Sequence, residues 1–300
     1  MSGGSGTGLA QDATGQEILQ ALGLTTPQGG SGTGLLQDAT LQDIANAISG
    51  GFGPGNLPSG VAPVAWYKSG ALQTVSGGFL TQWGDSTDNA DPAHVLVDRS
   101  SQPPAYIASD ATYNNMASAS FTAASLQFLA SGGTGTWATP LAGAAWWVCV
   151  GQSDFSTAAQ FFFDDFNTLE SWSFIAEPTA GYNALAYVSV GNAESQIIMP
   201  DATTQAIPKA PCIFMGQVSA DGAQCPIYMN GRGFAGTVLT ATNPTTLTGI
   251  TMGMLSFFAG GGDFLNGKIA EFVVGKGNLT ALQTLYLNLY YSNLFGIPLL

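Results

Sequence analysis

The sequence predicts an all-β protein, an antiparallel β-sandwich of the jelly-roll kind. Three observations predict it. From Val61 onward, short runs of β-branched and aromatic residues alternate with Gly, Asn, Asp and Pro turns. No long amphipathic helix lies between those runs, so crossover connections for a parallel sheet are missing. Finally, some runs alternate in polarity while others are apolar on both faces, as outer and central strands of a sandwich should be.

The chain has 300 residues, of which 45% are apolar. At that length about 75% of the chain's surface can be buried, so a sizeable core is expected. An N-terminal arm (residues 1–56) and a jelly-roll domain (57–300) are the predicted units. Within the arm, residues 3–22 recur at residues 29–48, an offset of 26 at which 14 of 20 positions are identical. Each copy reads as a glycine loop followed by a short helix. Thr14 with Glu17 forms a capping box, and Thr40 with Asp43 is its weaker echo. Ile18, Leu19 and Leu22, then Ile44, Ala45 and Ile48, give each helix one narrow apolar face. Gly23 and Gly50 stop the helices. Helices this short are not stable alone, so the face needs a surface: two equivalent docking sites or a hairpin packed on the chain's own body, with a flexible linker as the alternative. Leu9, Ile18, Leu22, Leu35, Ile44 and Ile48 are the candidate docking residues. Residues 50–60, GGFGPGNLPSG, read as a Pro/Gly hinge.

Strands are expected over 64–67, 79–83, 94–97, 144–150, 160–163, 171–175, 184–190, 212–218, 226–229, 249–255 and 268–274. Residues 144–150 are apolar on both faces and should be central. Ile213, Met215 and Gln217 alternate with Phe214, Gly216 and Val218. One helix closes the chain: Thr280 and Gln283 form its capping box, and Leu282, Leu285, Tyr286 and Leu289 its expected buried stripe. Gly296 and then Pro298 end it.

Charge and cysteine content exclude whole classes of function. Charged residues are 8% of the chain, against about 25% in an average soluble protein. The net charge of -13 argues against nucleic-acid binding and against docking on anionic lipid. The first residues carry no signal peptide, and no apolar run is long enough to span a membrane. Three cysteines, Cys149, Cys212 and Cys225, leave at least one free. Cys212 and Cys225 flank the turn Ala220-Asp221-Gly222, but the mirror position of Cys212 falls near Asn230, so no disulfide is expected. Assembly in a reducing cytoplasm follows.

Several blocks resemble a known family. The stretch from Val64 to Ile107, with its Trp83-Gly84-Asp85 turn and the run from Arg99 to Tyr106, looks like the opening of concanavalin A-like (LamG-type) jelly rolls. Residues 118–129 (SASFTAASLQFL), the hairpin-like DGAQCPIYMNGR at 221–232, and a closing block with Gly267, Ile269 and Glu271 before a capped helix follow in the family's order. The resemblance covers roughly residues 61–298 and implies the sandwich fold. It leaves function open, since the family includes lectins, glycosidases, lyases and virion modules. The arm's glycine repeats are similar to segments of tailed-phage virion proteins.

Chemistry-bearing residues are scarce. His94, the one histidine, would have to serve any Ser-His-Asp triad, and a lone loop histidine reads as a surface residue. Glu17, Glu170, Glu177, Glu194 and Glu271 form no glycosidase motif, although Asp164 or Asp165 with Glu170 could build a carboxylate pair. Two arginines and four lysines are few for a polysaccharide lyase. Asp85, Asp88 and Asp91 are a weak Ca²⁺ candidate, with a plain Asp-rich turn as the alternative. No metal or cofactor is therefore expected. Trp137, in a Gly/Thr loop, is a candidate contact for a glycan or a neighbouring subunit, whereas Trp146, Trp147 and Trp172 read as core. Together with the resemblance, this implies a non-enzymatic structural protein of a tailed-phage virion, a head decoration or fibre. Its expected partners are other virion proteins and copies of itself, on family analogy as a trimer. The alternative is an adhesin that binds host glycans.

Overall fold

The computed structural model describes residues 53–87, 92–131, 143–154, 160–165, 173–177, 185–190, 193–198, 209–219, 226–234, 249–254 and 263–300. The predicted fold class holds: the described residues form antiparallel strands and one C-terminal helix. The first strands are β1 (Pro63–Tyr67), β2 (Gln73–Ser76), β3 (Phe79–Trp83), β4 (Leu96–Asp98), β5 (Ala105–Asp110) and β6 (Met116–Phe121). Then come β7 (Leu129–Ser131), β8 (Ala145–Ser153), β9 (Gln160–Asp165), β10 (Ser173–Glu177), β11 (Leu185–Val190) and β12 (Ala193–Ile198). The last are β13 (Cys212–Val218), β14 (Ile227–Met229), β15 (Arg232–Phe234), β16 (Ile250–Met252) and β17 (Gly267–Lys276), followed by the helix α1 (Ala281–Phe295).

Pairing resolves these strands into two layers. In the first, β15, β14, β13, β8 and β17 lie side by side. The free edge of β17 then takes β6 at 267–269 and β1 at 272–275, and β5 extends β6. In the second layer the order is β2, β3, β4, β7, β16, β9, β10, β11, β12. A single pair, Phe79 with Ala105, joins β3 to β5 and links the layers.

The core sits between the layers. Tyr67, Trp147, Cys149, Phe214 and Phe272 from the first meet Leu80, Trp83, Phe162, Phe163 and Phe174 from the second. A second core lies on the outer face of the first layer. There Trp66, Trp146, Val148, Val150, Ile213, Met215 and Val273 are covered by Leu287, Tyr291 and Phe295 of α1. This double cover explains why β8 is apolar from Ala145 to Val150: alternate residues face the sandwich and the helix, and both sides are dry.

Two glycines permit that packing. Trp147 lies opposite Gly216 on β13, and Trp146 lies opposite Gly275 on β17. A Cβ at Gly216 would come within 2.6 Å of the Trp147 indole, and one at Gly275 within 2.2 Å of the Trp146 indole. Each ring therefore lies flat over a strand that offers no side chain.

Several expectations need correction. The strand expected at 94–97 begins at Leu96, because Pro92–His94 forms a 3₁₀ turn closed by Val95 N–H donating to the Pro92 carbonyl. Proline's fixed φ suits that turn. Of the Pro/Gly segment read as a hinge, the described part from Gly53 onward lies on the body and includes two 3₁₀ turns, Pro54–Asn56 and Ser59–Val61. Pro54 and Leu57 are buried, and the Trp146 indole N–H donates to the Val61 carbonyl at 3.1 Å. In α1 the capping box of Thr280 and Gln283 and the Gly296 stop form as expected. The buried stripe is displaced, however: Leu285 is 48% exposed, Tyr286 is buried as expected, and the covered face also carries Thr284, Leu287, Asn288, Tyr291 and Phe295. An apolar count misses this face because polar residues share it. Thr284 accepts from Gln217 Nε2 at 3.0 Å, and Asn288 Nδ2 donates to the Thr284 carbonyl at 2.8 Å.

Gly216→Ala and Gly275→Ala should each lower stability by about 1–3 kcal/mol through forced displacement of an indole. Thermal unfolding checks this, and near-ultraviolet circular dichroism should report the disturbed tryptophan in the same variants.

Candidate functional site

Among the described residues, three of the buried carboxylates, Glu271, Asp85 and Asp110, each gather a cluster of hydrogen bonds. The first is centred on Glu271. Between Ile269 and Glu271 the register of β17 against β8 slips, leaving Ala270 as a bulge. A bulge turns the following side chain relative to simple alternation. Glu271 is fully buried as a result. Its Oε1 accepts from the Trp66 indole N–H at 2.7 Å, and its Oε2 accepts from the Ser69 backbone N–H at 3.1 Å. Lys68 lies over the Trp66 ring at 4.9 Å. Burial pushes the Glu271 carboxyl up to about 7, against the opposing pull of Trp66, Ser69 and Lys68. Burial and the neighbouring Glu271 charge drive the Tyr291 hydroxyl far above its ordinary value.

The second cluster is centred on Asp85. Its Oδ1 accepts from the backbone N–H groups of Trp66 and Thr87, each at 2.9 Å. Its Oδ2 accepts from the Thr87 hydroxyl at 3.0 Å and lies 3.1 Å from His94 Nδ1. His94, expected at the surface, is only 4% exposed. The Tyr67 hydroxyl donates to its backbone carbonyl. Hydroxyl and imidazole both meet the same carboxylate here, whereas a nucleophilic triad needs the imidazole between them.

The third is Asp110, which caps the 3₁₀ turn Ala111–Tyr113. It accepts from Lys268 Nζ at 2.8 Å, Ser118 Oγ at 2.7 Å and Thr112 N–H at 3.0 Å, with Thr112 Oγ1 a further donor. Burial alone would raise this carboxyl; the four donors outweigh it and hold it at about 2.

Other residues singled out in the sequence are placed as follows. Asp164 is buried on β9 opposite Thr251. Cys149 and Cys212 are buried free thiols; burial raises both, Cys212 to about 12. Asn230 faces the Cys212 region: its N–H donates to the Ile213 carbonyl at 2.9 Å, and its Oδ1 accepts from Ile213 N–H at 2.8 Å. Trp146 and Trp147 are core. Leu9, Glu17, Ile18, Leu22, Leu35, Ile44, Ile48, Asp88, Asp91, Trp137, Glu170, Trp172 and Cys225 lie outside the described residues. Among the described residues no group of three or more His, Cys, Asp or Glu is arranged to hold a metal ion, and no helix is long and apolar enough to cross a membrane.

One open concavity was not anticipated. A cleft of about 250 Å³ opens where the end of β13 and the start of β14 meet the loop before α1. Gln217, Ser219, Pro226, Tyr228, Asn278, Leu279 and Ala281 line it. No motif marks it, because it is assembled from three segments far apart in sequence. The one local signal is Tyr228 set between Ile227 and Met229, the polar-tipped residue of an apolar run.

No family model and no curated protein sequence matches the chain. Solved structures do resemble it in shape. The receptor-binding domain of botulinum neurotoxin mosaic serotype C/D superimposes with a TM-score of 0.50 at 8% identity, over 75% of this chain and 50% of that one. A GH54 α-L-arabinofuranosidase aligns at 11% identity and TM-score 0.49, over 78% of this chain and 60% of that one. Domain 4 of AbnA, an extracellular GH43 arabinanase from Geobacillus stearothermophilus solved with arabinotriose, aligns at 16% identity and TM-score 0.48, over 77% of this chain and all of that one. At such identities the likeness is one of fold alone, the antiparallel β-sandwich described above.

Glu271 and Asp110 act on stability in opposite senses. Glu271 is raised from 4.5 to about 7, so its stabilising contribution is complete below 4.5 and is lost as pH rises through 7. The full effect is on the order of 3 kcal/mol. Asp110 is lowered from 3.8 to about 2, so its contribution is present above 3.8 and is lost as pH falls through 2. The melting temperature should therefore fall between pH 5 and 8, and Glu271→Gln should flatten that fall. A slope unchanged by Glu271→Gln would reject the assignment.

Proposed function

We propose that this protein is a non-enzymatic structural module of a tailed-phage virion, a head decoration or fibre, joined to the particle by its N-terminal arm. The observation that carries this reading is the use made of Glu271, Asp85 with His94, and Asp110. Each is buried and bonded to the backbone or to neighbouring side chains that it helps to hold. Such groups support a packing body; a general acid or base has to reach a substrate. The duplicated arm supports the same reading, because the two capped apolar faces its sequence predicts would suit repeated docking, and the low charge suits close packing between copies. Its partners on this reading are other virion proteins and copies of itself, and its place is the assembled particle.

Attachment then comes from burying Leu9, Ile18, Leu22, Leu35, Ile44 and Ile48, each worth roughly 1.5–3 kcal/mol when fully covered. In the full-length chain, Ile18→Asp with Ile44→Asp should weaken association with particles at least tenfold and leave the melting temperature of the body unchanged. Co-sedimentation with virions and light scattering measure the two effects. Undiminished association would reject the docking role.

A second reading, a glycan-binding adhesin, is favoured by one observation: among the described residues, the polar cleft that Tyr228 lines has no Lys, Arg, His, Asp or Glu in its lining. Screening the full-length protein on a glycan array separates the two readings, since a purely structural module binds none of the glycans.

A further inference from the structure

The cleft between β13, β14 and the start of α1 is built differently from the buried clusters. Its floor is rigid. Gln217 is 7% exposed, and both ends of its amide are held: Oε1 accepts from Leu279 N–H, and Nε2 donates to Thr284 Oγ1, each at 3.0 Å. The Tyr228 ring is pinned as well. It lies across Gly233 on the neighbouring strand, where a Cβ would meet it at 3.0 Å. Pro226 and Leu279 add apolar surface, while Ser219 and Asn278 bring a hydroxyl and an amide to the same opening.

This combination selects a ligand by its chemistry. An aromatic ring with proline and leucine offers apolar surface to carbon-bound hydrogens. Hydroxyl and amide groups exchange hydrogen bonds with hydroxyls in either direction. With no Lys, Arg, Asp or Glu among the described residues of the lining, a phosphate or carboxylate would lose its hydration without a counter-charge. An uncharged ring bearing hydroxyls meets no such cost. The fixed floor and ring also leave little to be ordered on binding.

We propose that this cleft binds one neutral sugar ring, the terminal residue of a glycan. The proposal rests on the glycan-binding reading above and assigns it a place. A shallow site for a single ring should have a dissociation constant of about 1 mM.

The test uses the full-length protein with D-glucose, D-galactose, L-rhamnose and N-acetyl-D-glucosamine as probes, followed by saturation-transfer NMR. Two variants accompany it: Ala281→Trp, which plugs the cleft from the exposed first residue of α1, and Asn278→Ala, which removes the rim amide. Melting curves confirm that both fold. At least one probe should bind the unaltered protein, and both variants should weaken it tenfold or more. Equal binding by the plugged variant overturns the site and leaves glycan recognition elsewhere on the molecule intact. If none of the probes binds, the site is likewise overturned, and the glycan array decides the broader reading by itself.

Discussion

The contact on which much of the structure depends is the buried carboxylate of Glu271, held between the Trp66 indole and the Ser69 backbone N–H. It ties the start of the domain to its last strand across 205 positions of sequence. Because β17 is central to the first layer, with β8 on one side and β1 and β6 on the other, that tie fixes where the chain begins relative to where it ends. A buried charge is a weak source of net stability, since desolvation offsets its hydrogen bonds. Its value here is geometric: the bulge at Ala270 directs the carboxylate out of simple alternation, and only one register of β17 brings it to its donors.

Two further features extend from that frame. Trp66, whose side chain serves Glu271, has its backbone N–H bonded to Asp85, and Asp85 in turn holds His94. The first turn of the domain and the Pro92–His94 turn are thus linked to the central strands by one chain of polar contacts. On the opposite edge of α1, Gln217 fastens the helix start to β13. The helix is consequently held at its N-terminus by hydrogen bonds and along its length by Leu287, Tyr291 and Phe295.

The fold was legible in the sequence where residues obeyed one rule at a time. The continuous apolar run of β8, the alternation of β13 and the capped helix all follow from periodicity and caps. β6, with its MASASF sequence, escaped periodicity and was marked only by the family resemblance: four of its six residues are alanine or serine, which carry little strand pattern, and tertiary packing decides it. The helix face was misplaced at Leu285 because Thr284 and Asn288 are buried through hydrogen bonds that no hydropathy pattern records. His94 was read as a surface residue because its partner Asp85 lies outside any helical or strand periodicity shared with it. The cleft was illegible for a simpler reason: Gln217, Tyr228 and Asn278 meet only after the strands pair. By contrast, Glu271 could be singled out in advance through its place in the closing block, though its burial could not.

The account makes the acidic groups of this sandwich architectural, with Glu271 as the central case. A direct test is the titration of its carboxyl carbon by NMR, assigned by comparison with Glu271→Gln. The buried, donor-held geometry predicts a midpoint near 7, well above the ordinary 4.5. A midpoint at the ordinary value would mean that water reaches the carboxylate, and would contradict the sealed contact between the first and last strands.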